Sequence, residues 1–508
     1  MGAAAIAGAL LCENGIESKR QRPTLGKTDE EIAALPYFDI LAASGENRNL
    51  PCDVASYSLG DGTIHIVLPE NVPENHVVVY IRDDKGSYLA RRVYDLSKKV
   101  SIGSWEIVLD RHFLPILYFE TDSARDFREM NESETKDIVC DGDLYMCVGG
   151  KGNKLLSTHS KASLQGRGNT SWDWASEKKS YTLKLEKAEN LLGMGKNKNW
   201  NLIGNAFDVS LLKNISFNTI ATKAGIPYQA QMSNVVLYVD GQYRGVYTLT
   251  TKIKAGKNNI PLKTGDYLYK MDPPVRDQEV RYNPESWYES SGFHPSADLV
   301  FPEEADAEEI DEASQRLQYF IDTIEGHGDE DIASVCDLES IARYYWIQEA
   351  SMNFDSWERS VYIYYLAKDG RMHAGPVWDM DLTLGYQFDK HGVDFGSPEG
   401  WKVRNYGWYE MLFKNEEFAS IATDVYFNGG VREALFSGLD EFSEEKEAMG
   451  DDAYMNFLLF GYADIGVTTD YGSTYDEYCD NMIAFYRARL EWIDEQMGLL
   501  ISSVNSSE

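Results

Sequence analysis

Histidine is scarce, and its scarcity removes a whole class of chemistry. The eight His are scattered and none forms a His-Glu-x-x-His pair, so zincin catalysis has no ligand set. Cysteine is scarce too. The six, at 12, 52, 140, 147, 336 and 479, make no Cys-x-x-Cys pair, which argues against a zinc site. Cys140 and Cys147 stand at a spacing that would allow a bridge across a hairpin, and isolated buried thiols suit them equally. No Gly-x-Ser-x-Gly elbow occurs. Gly193-Met-Gly195-Lys196-Asn197 falls short of a P-loop, because position 190 is Asn and no Ser or Thr follows the Lys. No apolar run is long enough to span a bilayer. Basic residues are few, 48 against 82 acidic, and a formal net charge of −34 repels a phosphate backbone, so no nucleic-acid partner is expected.

What is present points to a large folded protein. Aromatics make up 12% of 508 residues, with 11 Trp and 32 Tyr, ample for a core. Residues 1–47 read as leader and linker. The small apolar stretch Met1–Cys12, followed by polar sequence, resembles the tail of a secretion signal, with Ala9-Leu-Leu-Cys12 near a lipoprotein cleavage box. An extracytoplasmic protein, secreted, on the cell surface or in a spore coat, with a lipid anchor as an option, is the expectation.

Residues 48–111 carry short alternating runs, Thr63–Leu68, His76–Ile81 and Ser104–Leu109, separated by Asp61-Gly62 and Lys85-Gly86. They predict a small antiparallel, sandwich-like all-β domain. From 112 to 500 strands and helices mix, and 501–508 is a tail. Pro115–Phe119 and Lys178–Leu185 read as strands, Asp208–Gly225 as a helix, and Val235–Leu249 as a hairpin turning at Asp240-Gly241. An acidic helix to Gly326, a helix Ser340–Met352, a hairpin-like stretch Val361–Asp381 and an amphipathic helix Tyr475–Leu500 follow. The fold class is α+β.

The chemistry concentrates in an acidic cluster. Trp378-Asp379-Met380-Asp381 puts carboxylates at i and i+2, on one face if the segment is extended. Such a pair suits Mg²⁺ or Mn²⁺, although a turn or capping role competes for so short a motif. Asp355 lies upstream, between a helix end and the strand Val361–Tyr365. A carboxylate there, with a metal-binding acid after the hairpin, is the arrangement by which protein kinases orient an acceptor hydroxyl and hold phosphates. Gly166-Arg167-Gly168-Asn-Thr-Ser-Trp172 is a glycine-rich turn followed by the Lys178–Lys184 strand. Arg167 and Lys184 are its candidates for nucleotide contact. A basic edge made by Lys178, Ser180, Thr182 and Lys184, with Leu183 and Leu185 in the core, is the rival reading.

Taken in order, Gly166–Trp172, Lys178–Leu185, Leu191-Leu-Gly-Met194, Trp200-Asn-Leu-Ile203, Leu211-Leu-Lys-Asn214, Val236–Tyr247 and Gly375-Pro-Val-Trp-Asp-Met-Asp-Leu-Thr-Leu-Gly385 resemble successive blocks of the CotH family of atypical protein kinases. The resemblance covers roughly residues 112–500. It implies a diverged kinase-like fold that uses ATP and Mg²⁺ or Mn²⁺ to phosphorylate Ser or Thr of secreted, surface or spore-coat proteins. An acceptor that is basic and Ser-rich would suit the chain's charge. Asp355 falls where the family's catalytic Asp stands, Asp379 and Asp381 fall in its metal motif, and Lys184 in the strand facing the nucleotide. Two positions depart from the pattern: Ser360 stands where a kinase-type Asn would bind a second metal, and Thr251 stands where an acid often orients a phosphate-binding Lys. Asp208 is a candidate substitute for that acid. Two other readings stay open, a catalytically inactive surface-binding module on a kinase-like scaffold, and a glycoside hydrolase pairing Asp355 with Asp379 or Asp381.

Overall fold

The structure is a computed structural model. It describes residues 114–505, apart from 149–155, 169, 174–177, 240–241, 273–277, 285–295, 329–330, 386–393, 451, 454–455, 457–470 and 473, and the backbone of eight strands before them. Those strands are β1 (Tyr37–Ala43), β2 (Asn49–Cys52), β3 (Val54–Ser58), β4 (Thr63–Pro69), β5 (His76–Arg82), β6 (Tyr88–Asp95), β7 (Val100–Ile102) and β8 (Trp105–His112). They form two four-stranded sheets, ordered β2-β1-β5-β6 and β3-β4-β8-β7. The strands begin at Tyr37, inside the stretch read as linker, and β4 pairs with β8 in parallel where an all-antiparallel arrangement was expected. The leader to residue 36 and the Asp240-Gly241 turn lie outside the described residues.

The chain divides into two compact units. The first takes residues up to Leu211, Ser233–Thr250 and Lys446–Ala463. Its centre is a closed barrel of β9 (Ile116–Thr121), β10 (Val139–Val148), β11 (Leu156–Arg167), β12 (Ser180–Asn190), β13 (Lys196–Ile203), β14 (Met232–Val239) and β15 (Gln242–Thr251). Alternation dictates what fills it. Tyr181, Leu183 and Leu185 of β12 point inward with Trp200 and Leu202, Leu237 and Val239, and Leu117 and Phe119. The barrel closes where β14 runs parallel to β9, Val236 level with Ile116.

Two readings left open by the sequence close here for packing reasons. Cys140 and Cys147 both lie on β10, so at a strand rise of about 3.3 Å per residue their Cα atoms stand about 23 Å apart, beyond disulfide reach; Cys140 is a buried thiol in the barrel core. Lys178 does not share an exposed basic edge with Lys184. It is buried and donates to the Val246 carbonyl and Asn456 Oδ1. Burial pushes its ammonium well below the ordinary lysine value.

The second unit takes Leu212–Met232, Thr251–Glu445 and residues from Asp464 onward. An antiparallel sheet ordered β17-β18-β16-β19-β20 comprises β16 (Tyr267–Met271), β17 (Glu279–Arg281), β18 (Ser296–Phe301), β19 (Val361–Leu366) and β20 (Arg371–Ala374). The helix Ala307–Ile324 starts at a capping box, Asp306 with Glu309, which explains why the acidic run sits at its head. The helix Lys213–Lys223 starts later than its pattern suggested. Asp208 Oδ1 takes the Ser210 N–H and hydroxyl, and Leu211 adopts φ +61°, so the first turn is not helical.

The helix Leu338–Ser351 is buried nearly all round. It carries Glu349 in its last turn, where the helix dipole opposes a carboxylate. Five donors offset that penalty. Oε1 accepts from Lys402 N at 2.6 Å and Arg489 Nη2 at 2.5 Å, and Oε2 from Arg404 N at 2.7 Å, Val403 N at 3.0 Å and the Tyr345 hydroxyl at 3.2 Å. Arg489, on the helix Tyr475–Asn505, also donates to the carbonyls of Pro398 and Gly400.

Both charges of this pair are fully buried. Arg489→Met is therefore expected to cost about 3–5 kcal/mol by stranding Glu349, read as a fall in a urea or thermal midpoint. Burial, with Arg489 nearby, pushes the Lys402 ammonium down from 10.5 to about 8. Between those pH values the unfolded chain binds more protons, so stability rises with pH across the window, and Lys402→Met flattens that slope in pH-dependent melts.

Candidate active site

The three aspartates lie in the second unit, on two loops that hold each other. The first follows the helix Leu338–Ser351. Met352 takes a left-handed φ of +59° and ends the helix, and Asn353 then turns back on it. Its backbone N–H bonds to the Gln348 carbonyl, its Nδ2 donates to Gln348 Oε1 at 2.8 Å, and its Oδ1 accepts the Asp355 N–H at 3.1 Å. The Asp355 carbonyl accepts from Glu358 N and Arg359 N, closing the turn. Aromatic anchors stand on either side of Asp355. Phe354 packs edge-on to Phe395, and Trp357 stacks on Tyr406 with ring centroids 5.7 Å apart. Gly407 gives Trp357 its space: a Cβ there would come within 2.5 Å of the indole, and its φ is +55°. Asp355 itself is half-buried.

The second loop follows β20. Trp378 meets Tyr362 of β19 edge-on, and Asp379 is exposed while Met380 and Asp381 are buried. Asp379 has φ +63°, and the segment is not a strand, so the two carboxylates do not share a face by strand alternation. What fixes the backbone between them is the start of the helix Lys213–Lys223. Asn214 Oδ1 accepts the Met380 N–H at 2.9 Å, and Lys213 Nζ donates to the Asp381 carbonyl at 3.2 Å. Sequence reasoning gave neither residue a role. Their signal was a polar pair opening an apolar helix, where both side chains are nevertheless buried.

Polar contacts and packing join the loops, with Leu382 against the Met352–Phe354 cluster. The Ser360 hydroxyl donates to Asp379 Oδ2 at 2.7 Å, and Asn353 Nδ2 lies 3.8 Å from Met380 Sδ. Ser360, the departure from the kinase-type Asn, is thus a direct partner of the motif's first aspartate. Lys270 of β16 forms an ion pair with Asp272 close by. Burial opposes the Lys270 charge, but Tyr362, Asp272 and Asp379 outweigh it and hold its pKa above the ordinary lysine value.

Lys184, Arg167 and Asp208 belong to the first unit, and Thr251 opens a segment of the second. Lys184 is exposed on the outer face of β12, between Ser163 and Asn199, opposite the core residues Leu183 and Leu185. Arg167 is half-buried at the end of β11. Packing accounts for Gly166, because a Cβ there would stand 2.5 Å from the Trp172 ring, and Gly168 has φ +90°. Asp208 is committed to the turn at Ser210. The Thr251 hydroxyl accepts the Gln231 N–H.

Among the described residues no three His, Cys, Asp or Glu side chains converge as a metal centre, and no helix is long and apolar enough to cross a membrane. A bound ion would take one or two carboxylates from Asp379 and Asp381, with phosphate and water supplying the rest. That oxygen-only donor set fits Mg²⁺ or Mn²⁺ in kind.

A family model described as CotH kinase protein matches residues 164–493, which include both loops and the helix that braces them. No curated protein matches the chain.

Asn214→Ala removes the partner of a buried N–H and is expected to cost about 1–3 kcal/mol. The Met380 amide should then exchange with deuterium faster than in the parent while amides of β16 and β19 keep their protection.

Proposed function

The chain belongs to the CotH kinase family, and on that premise we propose that it transfers the γ-phosphoryl group of ATP to Ser or Thr of a protein acceptor. The observation that carries the reading is the CotH kinase match over residues 164–493, which spans Asp355, Asp379 and Asp381, the two loops being tied by the Ser360–Asp379 hydrogen bond. Asp355, on a loop held by Asn353 and two aromatic anchors, orients the acceptor hydroxyl and takes its proton. The hydroxyl oxygen bonds to the γ-phosphorus as the bond from that phosphorus to the bridging oxygen breaks, and ADP leaves. Asp379 and Asp381 would hold Mg²⁺ or Mn²⁺, which when bound neutralises phosphate charge. Lys184 is assigned to nucleotide contact on the family resemblance, and Arg167 as a member of the glycine-rich turn.

Catalysis of this kind is mostly positioning and charge stabilisation, so the rigidity of both loops matters more than any single pKa. With a net charge of −34 the chain suits an acceptor whose Ser or Thr has basic neighbours. An acceptor outside the cytoplasm agrees with the leader-like first residues.

One observation favours a second reading, an inactive binding module. The Ser360 hydroxyl engages Asp379 Oδ2 where a carboxamide ligand would leave that oxygen to a metal. The two readings part on mutation. Asp355→Ala and Asp379→Ala are each expected to abolish incorporation of γ-labelled phosphate into a basic Ser-rich acceptor, with little change in melting temperature. Incorporation at the parent rate in either variant contradicts the assignment of that residue.

A further inference from the structure

Lys270 is a charged residue in the middle of a sheet, on the strand between β18 and β19, and that placement asks for an explanation. In register it faces Asp298 of β18 on one side and Tyr362 of β19 on the other. Directly opposed residues of antiparallel strands point to one face, so Asp298, Lys270 and Tyr362 form a row. Tyr362 carries Trp378, the residue before Asp379, against its ring at 6.5 Å between centroids. Met271 pairs with Val361 where the two strands end, so Asp272, which follows the one, and Ser360, which precedes the other and holds Asp379, flank the same end of the pair. The Lys270–Asp272 ion pair and the Ser360–Asp379 hydrogen bond are therefore neighbours at the same end of adjacent strands, and Asp379 acts on the Lys270 charge.

A structural role alone would be the neutralisation of Lys270 by Asp272. That role does not explain why the pair stands beside the exposed carboxylate of the motif rather than elsewhere on the sheet. Lysine is a mobile point charge well suited to phosphate oxygens, and a carboxylate partner can be displaced by a group of higher negative charge. Resting on the phosphoryl-transfer reading above, we infer that Lys270 is a phosphate-binding residue of this site, kept oriented by Asp272 until the terminal phosphates of the nucleotide take over its ammonium.

The test is binding, not turnover. The full chain is titrated with the β,γ-methylene analogue of ATP in the presence of Mg²⁺, and separately with AMP, by calorimetry. Lys270→Met is expected to weaken the analogue by about tenfold or more, the size of one lost charge-assisted contact, and to leave AMP unchanged. Asp272→Asn is expected to bind the analogue as tightly as the parent or more tightly, because it frees Lys270. A merely structural pair predicts that both variants weaken the analogue alike, and that result overturns the inference. Unchanged analogue affinity in Lys270→Met overturns it as well and leaves the phosphoryl-transfer reading standing. A parent protein that binds neither ligand contradicts that reading itself. If Lys270→Met does not fold, Asp272→Asn still decides, since weaker binding there contradicts the displaced-carboxylate role.

Discussion

Glu349 and Arg489 meet in a fully buried ion pair 140 residues apart in sequence, and the second unit is organised around it. One carboxylate gathers the backbone N–H groups of Lys402, Val403 and Arg404, the Tyr345 hydroxyl and the Arg489 guanidinium. The guanidinium in turn takes the carbonyls of Pro398, Gly400 and Glu349 itself. Each group would be costly to bury alone, and together they leave few lone pairs or protons unmet. The pair thereby fastens the helix Leu338–Ser351, the segment 398–404 and the helix Tyr475–Asn505 to one another.

The position of Glu349 gives this network its functional meaning. Three residues later Met352 turns left-handed, and Asn353 begins the loop that presents Asp355. A shift at the helix end would propagate directly into that loop. The second loop is braced from a different direction, by Asn214 and Lys213 at the head of another helix. Two independently supported loops meet at Ser360–Asp379, where the serine hydroxyl holds the Asp379 carboxylate. The motif also separates its two acids by environment, with Asp379 in solvent and Asp381 buried. Within the proposed function, the exposed one is open to a ligand and the buried one backs it.

Much of this architecture was legible in the sequence because it depends on local periodicity. A short apolar run marked β9, alternation marked β12, the Asp240-Gly241 turn marked the β14–β15 pair, and the terminal helix was legible as an amphipathic segment. The placement of Asp355 between a helix and a hairpin followed from the same signals, and the family match spans it. What escaped depends on contacts distant in sequence or on single backbone angles. Nothing local distinguishes Lys178, which is buried, from Lys184, which is exposed. The glycine at 166 looked like an anion-binding signal, and it is the space a tryptophan ring needs. The shared face for Asp379 and Asp381 required an extended segment, and a φ of +63° puts Asp379 outside any strand. The spacing of Cys140 and Cys147 left a bridge across a hairpin open beside isolated thiols, and one strand runs through both. The Glu349–Arg489 pair, for its part, had no local signature at all.

The central claim is that a phosphoryl group moves from ATP to a hydroxyl of an acceptor protein. Phosphorus NMR of the full chain with ATP, Mg²⁺ or Mn²⁺ and a basic Ser-rich peptide follows donor and product in one sample. A phosphomonoester resonance on the peptide, growing in step with ADP, is the result the account predicts. ATP that stays intact under both metals, or that yields only free inorganic phosphate, would contradict it.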